Sequence, residues 1–371
     1  MALLSFAKRV AAQDFARRMQ GIAQGGAMAN IRDIAEKCKV NIATVSRAIN
    51  GKKGVSEKLR ARILDAAKEM GYSRDSLASG LISRRSGIIG LVVPDISNPY
   101  YAAVAQGVSA ELREHGYASF LCDSRRSREQ ERQFFGMLCS YRVEGAVVLS
   151  VTASESDLGI LLDHGIRVVC ADNQISSRVT SVVNDSYQGA CALAEHLVRE
   201  CGARRIVAVM GTNGAATTSD RLRGLSDTLG RLGCGDALSK VTYLTPDYQS
   251  ALAAAQGILE LGADTLFCVN DNVALGLLNY CSTHGINVPS DVKISGFDDI
   301  PEAAMAEVPL TTVHQHKYVL GRKAAAQLLE EIGAEAPSPM RIALIPKLVP
   351  RLSCGEPAPA SAATAPEGGK D

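Results

Sequence analysis

The stretch Val40–Asn50, VNIATVSRAIN, carries small hydroxyl and amide side chains, one arginine and only a thin apolar stripe. Ile42, Val45 and Ile49 share a face at helical spacing, and Asn41 is a suitable N-cap. Just upstream, Ile31, Ile34, Ala35 and Cys38 mark another short helix, and the gap of a few residues fits a helix-turn-helix. Downstream, Ser56 caps a third helix that runs through Leu59, Ile63, Ala66, Ala67 and Met70 to a stop at Gly71. Three short helices around Ala35, Val45 and Ile63 make a small core that fits a DNA-reading domain.

In such a motif the second helix enters the major groove with its N-terminal end nearest the bases. Asn41, Thr44, Ser46 and Asn50 are short donors suited to phosphates. Arg47 can span O6 and N7 of a guanine, which discriminates by about 1–3 kcal/mol, and Ile42 and Ala43 offer apolar contact to thymine methyl groups. The bland alternative is an ordinary solvated surface helix. Charge favours a polyanion partner for this segment alone. Residues 28–86 hold 13 Lys/Arg against 6 Asp/Glu, whereas residues 87–371 hold 23 against 32.

The run NIRDIAEKCKVNIATVSRAINGKKGVSEKLRARILDAAKEMGY (30–72) resembles the DNA-binding domain of the lactose/galactose repressor (LacI/GalR) family. The resemblance implies base contacts from Ile42, Ala43 and Arg47, and phosphate contacts from Arg32, Asn41, Thr44, Ser46 and Asn50. Lys39 departs from it, standing where the family has a turn glycine; a left-handed backbone there costs on the order of 1 kcal/mol. Residues 73–87 match the family's hinge, which becomes helical on DNA and wedges a leucine, here Leu81, into the minor groove. Arg74 replaces a common proline, and Ser79–Gly80 replace a basic residue and its small neighbour. Gly80 costs about 0.8–1 kcal/mol in a helix, so a weak hinge helix, ordered only with DNA, is expected. The alternative is a flexible linker with Leu81 against the body.

From Ile88 the chain alternates short apolar runs with amphipathic segments. IIGLVVP, YASFLC, GAVVLSV, GIRVVCAD and TSVVND read as strands in a first half; RIVAVMG, KVTYL, TLFCVN and VKISGFDD read as strands in a second. Helices fall between them, near 100–115, from 128, up to Cys201, over 221–232, over 252–261, from Asn272 and over 318–332. Near-continuous apolar strands between helices indicate parallel sheets covered on both faces. The expected architecture is a small all-α helix-turn-helix domain (28–72) and a hinge (73–87), then an α/β core (88–354). That core is periplasmic-binding-protein-like, with two doubly wound parallel-sheet subdomains.

Ligands of open α/β sheets bind at the carboxyl ends of strands. Those ends carry carboxylates (Asp172, Asp271), an arginine (Arg221), amides (Asn98, Asn173) and aromatics (Tyr100, Tyr101, Tyr248). Such a set suits a neutral polyhydroxylated ring. Singly, each also has a plain reading as a cap, turn or packing residue. The family resemblance continues through VVPDISNPYYA, FCVNDNVALG and KISGFDDIPEAAMAEVPLTTVHQ. It implies ligand contacts from Tyr100, Tyr101, Asp172, Arg221, Tyr248 and Asp271, with Asn98 contributing less directly. It also implies a homodimer on a pseudo-palindromic double-stranded operator.

Other chemistry finds little support. VVPDISNPYY contains no glycine, so neither a dinucleotide loop nor a P-loop follows the first strand. No nucleophile elbow appears, and an enzyme is not expected. His314 and His316 lack the partners of a metal site; no metal and no cofactor are expected. No apolar run approaches the roughly 18–20 residues that span a bilayer. Lys8, Arg9 and Asp14 break up any signal-like segment, and the ten cysteines contain no CxxC pair. A cytoplasmic protein with reduced thiols is expected. Residues 1–27 read as an upstream start or a small amphipathic helix, and the Pro/Ala/Gly-rich 355–371 as a disordered tail. The expected function is a ligand-responsive transcriptional repressor. Its effector is a sugar or sugar derivative, alternatively a purine co-repressor; a pure solute-binding protein is the rival class.

Overall fold

The computed structural model describes residues 30–49, 51–70, 86–212 and 214–355. The chain divides into two compact units, one ending at Arg84 and one beginning at Arg85. Asn50, Gly71, most of the expected hinge including Leu81, residues 1–27 and the tail after Gly355 lie outside the described residues.

In the first unit, α1 (Ile31–Lys37), α2 (Ile42–Ile49) and α3 (Glu57–Glu69) enclose Ile34, Ala35, Cys38, Val45, Ala48, Ile63, Ala66 and Ala67. Each helix start has a local cause. Asn30 Oδ1 accepts the Arg32 and Asp33 amides while Asp33 returns the favour to the Asn30 amide at 2.7 Å, a complete capping box. Asn41 Oδ1 takes the Thr44 amide at 2.7 Å, and Ser56 Oγ takes the Leu59 amide. Between α1 and α2 Lys39 adopts φ +49°, the left-handed turn conformation expected of a glycine there. Arg62 donates to the Cys38 carbonyl at 2.7 Å and Lys37 pairs with Glu69, tying the turn to α3.

In the second unit, a six-stranded parallel sheet has the order β11-β5-β4-β3-β1-β2: Arg341–Leu344, Thr180–Asn184, Arg167–Ala171, Gly145–Val148, Ile88–Val93 and Ala118–Asp123. A four-stranded parallel sheet follows as β7-β6-β8-β9: Leu238–Leu244, Ile206–Gly211, Thr265–Cys268 and Lys293–Ser295. The helices are α4 (Pro99–Glu114), α5 (Arg128–Ser140), α6 (Glu155–Leu162), α7 (Ser186–Arg199), α8 (Ala216–Arg231), α9 (Tyr248–Leu259), α10 (Asp271–Thr283), α11 (Pro301–Met305) and α12 (Lys317–Gly333). Two doubly wound lobes result. The antiparallel pair β10 (Thr312–His314) and β12 (Lys347–Val349) packs on α7 in the second lobe.

The chain passes between the lobes three times, after β5, between β10 and α12, and between β11 and β12. His316 joins all three passages: its amide donates to Asn184 Oδ1 at 3.2 Å, and its ring Nε2 lies 3.0 Å from the Ile345 carbonyl. Within the first lobe α12 packs back onto α4. Gly107 and Gly321 permit that approach, since a Cβ at either would overlap the facing backbone carbonyl of Tyr318 or Val104. Arg322 closes the contact by forking to Glu111 and Glu114, at 2.6 Å from each.

Some elements depart from the sequence reading. α6 shows no clear helical repeat, because its apolar residues Leu158, Ile160, Leu161 and Leu162 crowd its second half, and the Ser154/Asp157 capping box fixes its start instead. β11 is an edge strand with exposed positions, and it joins the first sheet from far along the chain. α8 and α9 each begin about a turn earlier than expected, at Ala216 and at Tyr248.

Candidate functional site: an exposed helix face and an interlobe cleft

On α2 the inward positions are Val45 and Ala48, and Asn41, Ile42, Ala43 and Arg47 are exposed. Thr44 and Ser46 are half-buried, and Arg32 on α1 is exposed. Ile42 keeps 45% of its surface in solvent, an uncommon place for a β-branched aliphatic side chain. Arg32 and Arg47 make no ion pair with any of the described residues. Thr44 Oγ1 donates to Asn41 Oδ1 at 2.8 Å, so the Asn41 carbonyl oxygen serves the helix start and its NH2 group remains a donor.

The second site is a cavity of about 40 Å3 between the lobes, lined by Asn98, Tyr100, Tyr101, Arg126, Asp172, Thr218, Arg221, Asn270 and Asp298 among others. The first lobe supplies a chain of hydrogen bonds. Asn184 Nδ2 donates to the Tyr100 hydroxyl at 3.3 Å, and that hydroxyl donates to Asp172 Oδ1 at 2.5 Å. Asp172 holds φ +71°, a left-handed backbone that turns its carboxylate out of β4's end. Asn98 is the N-cap of α4, accepting the Tyr100 amide at 3.0 Å. The two tyrosine rings meet edge to face, with centroids 5.2 Å apart.

The second lobe supplies Arg221, only 6% exposed on α8. Its guanidinium donates to the Val269 carbonyl at 2.5 Å, lies 3.7 Å from Asp298 Oδ1 and stacks 3.9 Å above the Phe297 ring. Its Nε is buried without a hydrogen-bond partner among the described residues. Gln315 and Lys317 also hold Asp298, through its carboxylate and its carbonyl. Burial raises the Asp172 carboxyl, opposed by the Tyr100 hydroxyl and Arg221. Burial pushes Asp298 up to about 8, opposed by Arg221. The Tyr100 and Tyr101 phenols are also raised, mainly by burial. The cavity thus presents neutral hydroxyl donors beside carboxyl groups and two arginines, a mixture suited to a ligand whose groups both donate and accept.

Two expected ligand residues do not reach this cavity. Asp271 is fully buried, and its carboxylate accepts the Thr312 hydroxyl at 2.5 Å and the Ile300 amide at 2.9 Å. Its neighbour Asn270, the N-cap of α10, faces the cavity instead. Tyr248 opens α9 and lines a separate groove of about 810 Å3 with Leu275, Met305 and Val308. Arg126 and Asp298 were missed. The left-handed turn that aims Arg126, φ +59°, leaves no glycine or proline signal. Asp298 belongs to the strand-end run GFDD, where the same carboxyl-end rule applies. His314 pairs with Asp299 at 2.7 Å, and the described residues hold no metal-ligating cluster. None of the described helices is long and apolar enough to cross a membrane.

Residues 30–75 match the bacterial regulatory proteins of the lacI family, and residues 86–350 match the periplasmic binding proteins and sugar binding domain of that family. A ribose operon repressor of Halalkalibacterium halodurans is 30% identical over 326 residues, 87% of this chain and 96% of its own. The HTH-type transcriptional repressor PurR of Aliivibrio fischeri is 30% identical over 82% of this chain and 92% of its own. Among solved structures, the transcriptional regulator CelR in complex with cellobiose is 29% identical, with a TM-score of 0.67, covering 88% of this chain and 99% of its own. A Lac repressor dimer bound to operator shares the fold, with a TM-score of 0.80 at 22% identity, over 88% of this chain and 99% of its own.

Proposed function

The chain belongs to the lacI family of bacterial regulatory proteins, DNA-binding repressors that answer small molecules, and from that premise we propose how its two sites divide the work. α2 enters the major groove of a double-stranded operator. Arg47 reads a guanine, and Ile42 and Ala43 meet thymine methyl groups. Arg32, Asn41, Thr44, Ser46 and Asn50 fix the register on phosphates, and Leu81 is the minor-groove wedge. The observation that carries this reading is the outward face of α2. It leaves an aliphatic side chain, Ile42, and an arginine that makes no ion pair with the described residues, Arg47, both exposed on one helix.

When the lobes part beyond the gap of about 40 Å3 seen here, the interlobe cleft takes a sugar or sugar derivative, held by Asn98, Tyr100, Tyr101, Arg126, Asp172, Arg221, Asn270 and Asp298. Cellobiose in the CelR complex supports a sugar, and the paired hydroxyl donors and carboxyl acceptors suit one. Asp271 braces the cavity wall through Thr312 and Ile300 rather than touching the ligand. The protein acts as a cytoplasmic homodimer, and no part of this role calls for an enzyme's chemistry. The effector works by binding one interlobe angle better than another, which is all that coupling requires.

Fluorescence anisotropy of a labelled duplex carrying the gene's own promoter tests the reading. Affinity should fall steeply and log-linearly with salt, and millimolar sugar should shift it about tenfold, a coupling of about 1.4 kcal/mol. Failure to bind that duplex at low ionic strength would overturn the operator assignment. A response to purines but to no sugar would overturn the effector class alone.

A further inference from the structure

One side chain, that of Asn184, connects the wall of the cleft to the passages between the lobes. Asn184 is the last residue of β5, in register with Leu344 of β11, and the next residue, Asp185, caps α7 of the second lobe. It therefore stands where the chain first leaves the first lobe. It is 3% exposed, and both ends of its amide are engaged. Oδ1 accepts the His316 amide at 3.2 Å, and Nδ2 donates to the Tyr100 hydroxyl at 3.3 Å.

The direction of this chain is fixed from its ends. The His316 N–H can only donate, so Asn184 turns its oxygen toward it. The NH2 group then faces Tyr100 and cannot accept, which leaves the Tyr100 proton for Asp172 Oδ1 at 2.5 Å. On the far side the Ile345 carbonyl can only accept, so His316 Nε2 carries the proton of that 3.0 Å contact. The His316 carbonyl also accepts the Leu320 amide at 2.7 Å, in the first turn of α12. An unbroken run of hydrogen bonds thus leads from Asp172 and Tyr100 in the cleft through Asn184 to all three passages. The middle position calls for a carboxamide, since a carboxylate has no donor and an aliphatic side chain has neither donor nor acceptor.

We propose that Asn184 is the positioning residue that ties the contents of the cleft to the angle between the lobes. The proposal rests on the cleft being the effector site. An effector hydroxyl that bonds Asp172 or Tyr100 changes the acceptor left to the Asn184 NH2 group. The same amide then holds His316 differently, and with it the second and third passages. Asn184 lies behind the residues that line the cavity, so this role needs no contact with the effector.

Hydrogen exchange of the full-length protein without ligand, read by mass spectrometry, tests the link. Tyr100→Phe removes only the hydroxyl between Asn184 and Asp172. It should speed exchange across residues 314–318 at least about threefold and leave β2 of the same lobe unchanged, which a general loss of stability would not do. In an Asn184→Leu background Tyr100→Phe should add nothing, because the link is already cut. If Asn184→Leu does not fold, Asn184→Asp, which keeps the acceptor for His316 and drops the donor to Tyr100, is read in its place with the same expectation. Exchange across 314–318 that ignores Tyr100→Phe, or responds equally in both backgrounds, overturns the proposal. In the duplex titration the probes are ribose and cellobiose. A sugar that shifts the parent's affinity about tenfold should still bind Asn184→Leu but shift it less than about twofold. An undiminished shift overturns the proposal. A parent indifferent to both sugars counts against the effector class alone, and the exchange result still decides the role of Asn184.

Discussion

Along α2 the exposed residues Ile42, Ala43 and Arg47 come from one turn and a half of a single helix. Around the cleft, Tyr100, Asp172, Arg221 and Asp298 come from separate elements of two lobes. The difference follows from the partner. A duplex is long and highly charged, so side chains already in water can meet it from one face. A small neutral ligand needs enclosure, and enclosed polar groups must satisfy one another. Hence Tyr100 bonds Asp172 and Arg221 leans on Val269 and Asp298, whereas Arg47 has no ion pair among the described residues. Substitution on the helix removes a contact with the partner. Substitution in the cleft also strands a neighbour.

Arg221→Ala should break that symmetry most. It removes a buried cation from Asp298, a donor from Val269 and a plane from Phe297. Losing one member of a buried ion pair costs about 3 kcal/mol; with Asp298 held at about 8, and so mostly protonated at neutral pH, the loss there should be smaller and should grow as the pH passes 8. Urea unfolding followed by circular dichroism checks the stability loss, and the duplex titration should show retained affinity with no sugar response. An Arg221→Ala protein of unchanged stability that still answers sugar would sink the cleft assignment.

Arg47→Ala should leave unfolding unchanged, because the side chain is exposed and makes no ion pair with the described residues. Its effect belongs to the duplex: a loss of about 1–3 kcal/mol of discrimination, or about 5- to 150-fold in preference for operator over scrambled DNA. Competition anisotropy measures that ratio. If both duplexes weaken equally, Arg47 contacts phosphate and not a base.

Asp298 offers a third contrast, since its carboxyl is enclosed and Ile42, Ala43 and Arg47 of α2 stand in solvent. Burial holds Asp298 at about 8 and Asp271 at about 6, above the ordinary 3.8, so the folded core keeps both protons more tightly than the unfolded chain does. The stability this gives is complete below about pH 4 and is lost as pH rises through 6 and then 8. Asp298→Asn removes its share. The Tm of the variant should therefore fall less than that of the parent between about pH 5 and 8. Parallel Tm profiles would mean that Asp298 is ionised throughout that range.

The same contrast decides what could be read in advance. The helix site is local: Asn41, Ser56 and the spacing of Ile34, Val45 and Ile63 fix three helices, and the exposed face is what their core leaves over. In the core, strand-end reasoning brought Asn98, Tyr100, Tyr101, Asp172 and Arg221 to one cavity. It misplaced Asp271 and Tyr248 because side-chain direction at a helix start depends on where the helix begins. With Asn270 as cap, Asp271 turns inward to Thr312; with Asp247 as cap, Tyr248 turns to the other groove. Arg126 is aimed by a left-handed turn that carries no local signal.

The smallest effect tests the turn that orients α2. Lys39 adopts φ +49° between α1 and α2, and the Val40 amide closes onto the Ala35 carbonyl at 3.0 Å, so this conformation is fixed by the helix pair. An L side chain there costs on the order of 1 kcal/mol against glycine, partly offset by the greater freedom of glycine in the unfolded chain. Lys39→Gly should therefore raise hydrogen-exchange protection of the α1 and α2 amides by up to about fivefold, the factor that 1 kcal/mol corresponds to. The cleft should be untouched, with the sugar response and the core's urea midpoint unchanged. Duplex affinity should drop slightly at low salt, because one positive charge is gone from the basic unit. Lower protection in Lys39→Gly would mean that the lysine side chain contributes contacts that outweigh its strained backbone.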